Sequence, residues 1–99
     1  MSIKEQFFEL VEREWGALRE RYGVRRIGLF GSCVRDEAGQ ESDVDVLVEF
    51  DRKTYRNYMG LAFFLEDSLG QRVDLVIADA LKPRLRDDIL REVEYATAP

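Results

Sequence analysis

The chain of 99 residues has no histidine and a single cysteine, Cys33. Without histidine there is no His-ligated zinc and no Ser–His or Cys–His dyad. One cysteine makes no internal disulfide and suits a reducing, cytoplasmic setting; Cys33 itself fits as a small apolar filler. No apolar run approaches the ~20 residues that a membrane-spanning helix needs, and the amphipathic, acid-containing N-terminus is unlike a signal peptide. Repeats, linkers and low-complexity segments are missing as well. Basic residues are in the minority, 15 Lys and Arg against 20 Asp and Glu, for a net charge of −5. Extended nucleic-acid contacts depend on lysine and arginine neutralising phosphates, so extensive nucleic-acid binding is not expected. The length allows one domain, residues 1–99, with a modest core.

What is present centres on Gly31 to Phe50. The run Asp43-Val44-Asp45-Val46-Leu47-Val48-Glu49-Phe50 alternates with period two, the signature of a strand with unlike faces. Val44, Val46, Val48 and Phe50 share the face suited to a core. Asp43 and Asp45 share the other, with Cα atoms about 6.5–7 Å apart at strand rise. Carboxylates that close repel each other but suit a shared hard cation such as Mg²⁺, which takes one or two carboxylates together with phosphates and water. An acidic edge strand kept soluble by its charge would carry the same pattern. An EF-hand loop is excluded, because Leu47 and Val48 stand where it needs an acid or amide and a glycine.

Upstream of this pair, with ten residues between Ser32 and Asp43, lies Gly31-Ser32, at the end of the strand-like Arg26-Ile27-Gly28-Leu29-Phe30. A glycine and a small hydroxyl residue allow close backbone approach and offer N–H donors to an anion. A short helix from Ser32 to Glu37 would add its N-terminus to that anion site and place Arg35 about one turn from Ser32. Taken alone, the pair is also an ordinary turn, and the longer G-x-x-x-x-G-K-[ST] phosphate loop is lacking. A third acid sits in Arg72-Val73-Asp74-Leu75-Val76-Ile77. Asp74 and Val76 share one face of that strand; Val73, Leu75 and Ile77 share the other. A lone acid in an apolar strand is costly unless it is paired or binds a metal.

Around these strands the pattern is helical. Ser2 and Glu5 form a capping box for a helix carrying Ile3, Phe7, Leu10, Val11, Trp15, Leu18 and Tyr22, stopped at Gly23. Asp36–Ser42 is polar and loop-like. A helix over about Tyr55–Leu69, capped near Thr54 and closed by Gly70, has a stripe of Tyr58, Ala62, Leu65 and Leu69, widened by Tyr55, Met59 and Phe63. As a crossover it makes the strands of Asp43 and Asp74 candidates for parallel neighbours. Pro83 opens a last helix with Leu81, Leu85, Ile89 and Val93 every fourth residue; Arg84, Arg86 and Arg91 fit a solvated face, or could reach a nucleotide or a negatively charged partner.

The order Gly31-Ser32, ten residues, Asp43-x-Asp45, then an acid at Asp74 on a later strand resembles the DNA polymerase β-type nucleotidyltransferase superfamily. The wording G-S-C-V-R…S-D-V-D-V-L-V-E-F…R-V-D-L-V is most similar to its minimal nucleotidyltransferases, including the antitoxin of HEPN/MNT toxin–antitoxin pairs. The resemblance runs from about Ile27 to the C-terminal helix. It implies an α/β (α+β) fold with a small mixed sheet packed by helices. It implies two Mg²⁺ ions held by Asp43, Asp45 and Asp74, with these three acids catalytic and Gly31, Ser32 and Arg35 on the phosphates of ATP. It further implies transfer of AMP to a hydroxyl acceptor, a tyrosine of a cognate HEPN RNase toxin. The acidic composition favours a protein or small-molecule acceptor over a nucleic acid. The rivals are a module that neutralises a partner by contact alone and a nucleotidyltransferase that acts on a small molecule.

Overall fold

The computed structural model describes residues 2–35 and 43–96. In chain order they form α1 (Ile3–Arg13), α2 (Trp15–Tyr22), β1 (Val24–Phe30), β2 (Val44–Phe50), α3 (Tyr55–Leu69), β3 (Val73–Ile77), α4 (Pro83–Glu92) and β4 (Glu94–Tyr95), with 3₁₀ turns at Gly31–Cys33 and Ala78–Ala80. The strands make one mixed sheet of order β3-β2-β1-β4. β1 is antiparallel to both β2 and β4, while β2 and β3 are parallel across the α3 crossover. This is the mixed α+β architecture expected. The polar segment Asp36–Ser42 lies outside the described residues.

Local chemistry sets most boundaries. Ser2 caps α1, its Oγ accepting from the Glu5 N–H at 3.1 Å. Thr54 caps α3 in the same way through Asn57 N–H at 3.0 Å, and Gly70 closes it in the left-handed conformation. Gly23 closes α2 likewise. The expected single N-terminal helix is two: Glu14 leaves helical geometry at φ −106° and ψ 18°. The break falls two residues before Gly16, the weakest helix former in the segment.

The sheet buries both faces, unequally. Val44, Val46, Val48 and Phe50 of β2 join Ile27 and Leu29 of β1 and Leu75 of β3 in the main core, beneath Phe7, Leu10, Val11, Leu18, Leu61, Leu65 and Leu69 of the three preceding helices. Cys33 is buried in the same cluster. On the opposite face Phe30, Leu47 and Ala78 form a second cluster, covered by Leu81, Ile89, Val93 and Tyr95. The face that carries the acids is therefore partly roofed by α4, which the period-two pattern of β2 does not reveal. Two apolar stripes also need correction. Tyr55 and Phe63 stand 79% and 61% exposed, and Leu61 takes the buried place on α3. Leu85 of α4 is 55% exposed and leaves its stripe to Leu81, Ile89 and Val93.

Candidate active site

The site begins where β1 runs out. Phe30 pairs with Asp45 in the antiparallel ladder, so the next residue, Gly31, turns directly beside the Asp45 side chain. Gly31 has φ 76°, and a Cβ there would strike the Asp45 carboxylate. Only glycine both adopts that backbone and leaves that room. The turn closes as 3₁₀, with Val34 N–H donating to Gly31 O at 3.2 Å. Of the helix expected from Ser32 to Glu37, the described part is a three-residue 3₁₀ turn over Gly31–Cys33 followed by a plain turn to Arg35, and residues 36–37 lie outside the described residues. Ser32 is half-buried and Arg35 exposed.

On the other side, β2 and β3 run parallel in a register that sets Asp45 directly beside Asp74, about 4.8 Å away at strand spacing. Asp43 sits just before β2, exposed, with its carbonyl accepting from the Cys33 thiol at 4.0 Å. Asp43, Asp45 and Asp74 thus occupy the N-terminal ends of two neighbouring strands, next to the C-terminal end of β1 and its Gly-Ser turn. Among the described residues, no three Asp, Glu or Cys side chains already stand close enough together to hold an ion. The donors are nonetheless all hard oxygens, the set suited to Mg²⁺.

Electrostatics agrees with the crowding. Burial pushes the Asp45 carboxyl above the usual carboxylate range, and the neighbouring charges of Asp74, Asp43 and Glu92 push it further, with Arg35 opposing. The site is thus short of positive charge near its central acid.

One participant escaped the sequence pattern. Glu92, the last residue of α4, reaches back over the acidic face. Its Oε1 accepts from Gly31 N–H at 2.9 Å, and its Oε2 pairs with Arg35 at 2.6 Å. The close approach of this segment to β1 depends on Gly28, where a Cβ would lie 2.8 Å from Val93 Cγ2 and 2.9 Å from Glu94 O. Lys4 ties the same region to α1, donating to Val34 O at 3.3 Å and pairing with Glu94 at 3.0 Å. Arg84 and Arg86 are exposed on α4, and Arg91 pairs with Asp88 at 3.4 Å rather than turning to the acids.

Fold and site together define a class: a small α+β domain with three aspartates and a Gly-Ser turn at one edge of a mixed sheet. The sequence profile of the nucleotidyltransferase domain matches residues 11–96. Protein adenylyltransferase MntA of Thermococcus cleftensis is 51% identical over 79 residues, 79% of this chain and 80% of that protein. A solved structure assigned as a minimal nucleotidyltransferase superposes with a TM-score of 0.78 at 37% identity, over 95% of each chain. A complex of a tri-AMPylated Shewanella oneidensis HEPN toxin with its MNT antitoxin shares the fold, at TM-score 0.63 and 21% identity over 93% of this chain and 73% of that one. The chain belongs to the nucleotidyltransferase domain family, as a minimal nucleotidyltransferase. Among the described residues no helix is long and apolar enough to cross a membrane.

Proposed function

We propose that this nucleotidyltransferase is a protein adenylyltransferase that moves AMP from ATP to a hydroxyl of a partner protein, a tyrosine of a cognate HEPN toxin, and so acts as an antitoxin. The observation that carries the reading is the register that sets Asp45 beside Asp74 while Gly31 turns against Asp45. Phosphates, metal and acceptor then meet at one edge of the sheet. The relationship to an adenylyltransferase at 51% identity supports the donor.

In this mechanism the Gly31 N–H and Ser32 seat the triphosphate, and Arg35 adds charge to the phosphates. Asp43, Asp45 and Asp74 would hold Mg²⁺, which would supply positive charge to the reacting phosphates. Asp74 also orients the acceptor hydroxyl and accepts its proton. The hydroxyl oxygen bonds to the α-phosphorus, the bond from that phosphorus to the β-bridging oxygen breaks, and pyrophosphate leaves with the electron pair. Rate comes from positioning and electrostatics rather than from a covalent intermediate on the protein. Residues 1–99 act as one domain, and the partner supplies the acceptor side.

Intact-mass spectrometry of the neighbouring gene's product, co-expressed with this chain, tests the reading. One or more AMP additions with wild type, lost with Asp43→Ala/Asp45→Ala, are expected. A stable, neutralised complex without added mass would mean inhibition by contact. Absence of any complex would redirect the search to small-molecule acceptors.

A further inference from the structure

Glu92 is an acid in an unfavourable place. It ends α4, where the helix dipole favours cations, and it is bound to Gly31, which itself turns against Asp45, one of the three acids at the sheet edge. Two contacts hold its carboxylate there: the Gly31 N–H at 2.9 Å and the Arg35 guanidinium at 2.6 Å. These are two of the three groups assigned above to the phosphates of the nucleotide, Ser32 being the other. We propose that the Glu92 carboxylate is a built-in occupant of the phosphate seat, which an incoming triphosphate must displace. The proposal rests on the nucleotide reading of the site.

The chemistry is a competition between anions for the same donors. A carboxylate oxygen and a phosphate oxygen accept alike from a backbone N–H and from a guanidinium. The carboxylate carries one charge and is tethered; a triphosphate carries several. Once phosphate takes Gly31 and Arg35, Glu92 loses both of these contacts and is left at a helix C-terminus with Asp45 nearby, both of which disfavour its charge. Its side chain is already one-third exposed (34%), so a rotamer change would carry it to solvent without moving α4. The displacement sets a threshold on every ligand. A polyphosphate passes it, whereas a singly charged anion gains no more from the seat than Glu92 already does. Glu92 is thus a specificity-determining residue, and it couples nucleotide entry to the end of α4.

Binding rather than turnover provides the test, read by calorimetry with a non-hydrolysable ATP analogue and Mg²⁺. Glu92→Gln keeps an oxygen for Gly31 but gives up the charge that pairs with Arg35. Glu92→Asp shortens the reach by one methylene and serves if the first variant fails to fold. Because the pair is half-exposed and the competent state is only a fraction of the unliganded population, affinity should rise about three- to tenfold in either variant. Asp88→Asn removes the same charge one turn earlier on α4, away from the seat, and should change affinity less than about twofold by long-range screening alone. Arg35→Ala should weaken binding. Equal gains from Glu92→Gln and Asp88→Asn would overturn the occupant in favour of general repulsion. Weaker binding in Glu92→Gln would overturn it as well, making Glu92 a helper of the ligand. An unchanged affinity in Arg35→Ala would instead sink the phosphate seat itself, and with it the reading on which this one rests.

Discussion

Gly31 answers to two constraints at once: a φ of 76° and a Cβ position already filled by the Asp45 carboxylate. Replacement by alanine must strain the turn or push Asp45 aside. We expect Gly31→Ala to cost about 1–3 kcal/mol through the left-handed backbone, seen as a lower melting temperature, and to abolish nucleotide binding by calorimetry. Asp45 responds in the opposite sense. Its carboxyl is pushed up by burial and by the neighbouring acids, so the folded chain binds that proton more tightly than the unfolded one. Without metal, stability from this group is full at low pH and falls as pH rises through the ordinary carboxylate range toward the raised value. Asp45→Asn should therefore raise the metal-free melting temperature at neutral pH, by roughly 2–4 °C if ~0.5 kcal/mol of repulsion is relieved, while abolishing transfer. A fall in melting temperature in chelator would contradict the repulsion. Asp43 falls just before β2 rather than in it, but the nearness of Asp45 to Asp74 and the turn at Gly31 were legible, the one from strand alternation across a helical crossover, the other from a glycine at a strand end. Glu92 was not, since it meets Gly31 from 61 residues away. The one local signal was an acid in the last turn of a helix, where the dipole prefers a base.

At the scale of elements, α3 separates what local chemistry determines from what packing decides. Its ends were readable to the residue, because Thr54 and Gly70 cap it through bonds within its own turns. Its buried face was readable only in part. The stripe of Tyr58, Ala62, Leu65 and Leu69 does pack in the core, but Tyr55 and Phe63, which widen it in the sequence, stay exposed while Leu61 is fully buried; a periodic pattern cannot say where a wide stripe is centred. Leu61→Ala should cost about 2–5 kcal/mol, as truncation of a fully buried leucine does. Phe63→Ser should stay within about 0.5 kcal/mol of wild type, as changes at exposed positions do. Chemical denaturation of the two variants checks both. If Phe63→Ser proved the costlier, the packing of α3 described here would be wrong. The parallel pairing of β2 with β3 was foreseeable from the helical crossover between them. β4 had no comparable signal: two residues are too few to show a period, and it pairs with β1 only because Gly28 lets Val93 and Glu94 approach.

For the molecule as a whole, the acids that serve the proposed reaction work against the fold that carries them. A chain of 99 residues with a net charge of −5 has a small margin of stability, and it places Asp43, Asp45 and Asp74 at one sheet edge with Glu92 beside them. Ligand binding reverses the sign of that arrangement. Cations and phosphates that bind only the folded state stabilise it by mass action, about 2.7 kcal/mol at a hundred times the dissociation constant. In a domain of this size that is roughly 10–20 °C in melting temperature. Thermal melting with and without Mg²⁺ and a non-hydrolysable ATP analogue should therefore give crossing orders. In chelator, Asp43→Ala/Asp45→Ala should melt no lower than wild type, because repulsion has been removed and no core residue touched. With saturating nucleotide and metal, wild type should melt well above it, because only wild type retains the oxygens that hold the ion. A double variant that melts far lower in chelator would show these aspartates to be structural. A double variant that rises as much as wild type on adding nucleotide and metal would show that the acids do not hold the ligand. Either result would remove the link between this sheet edge and nucleotide transfer, whereas the crossing ties the low intrinsic stability of the site to its use.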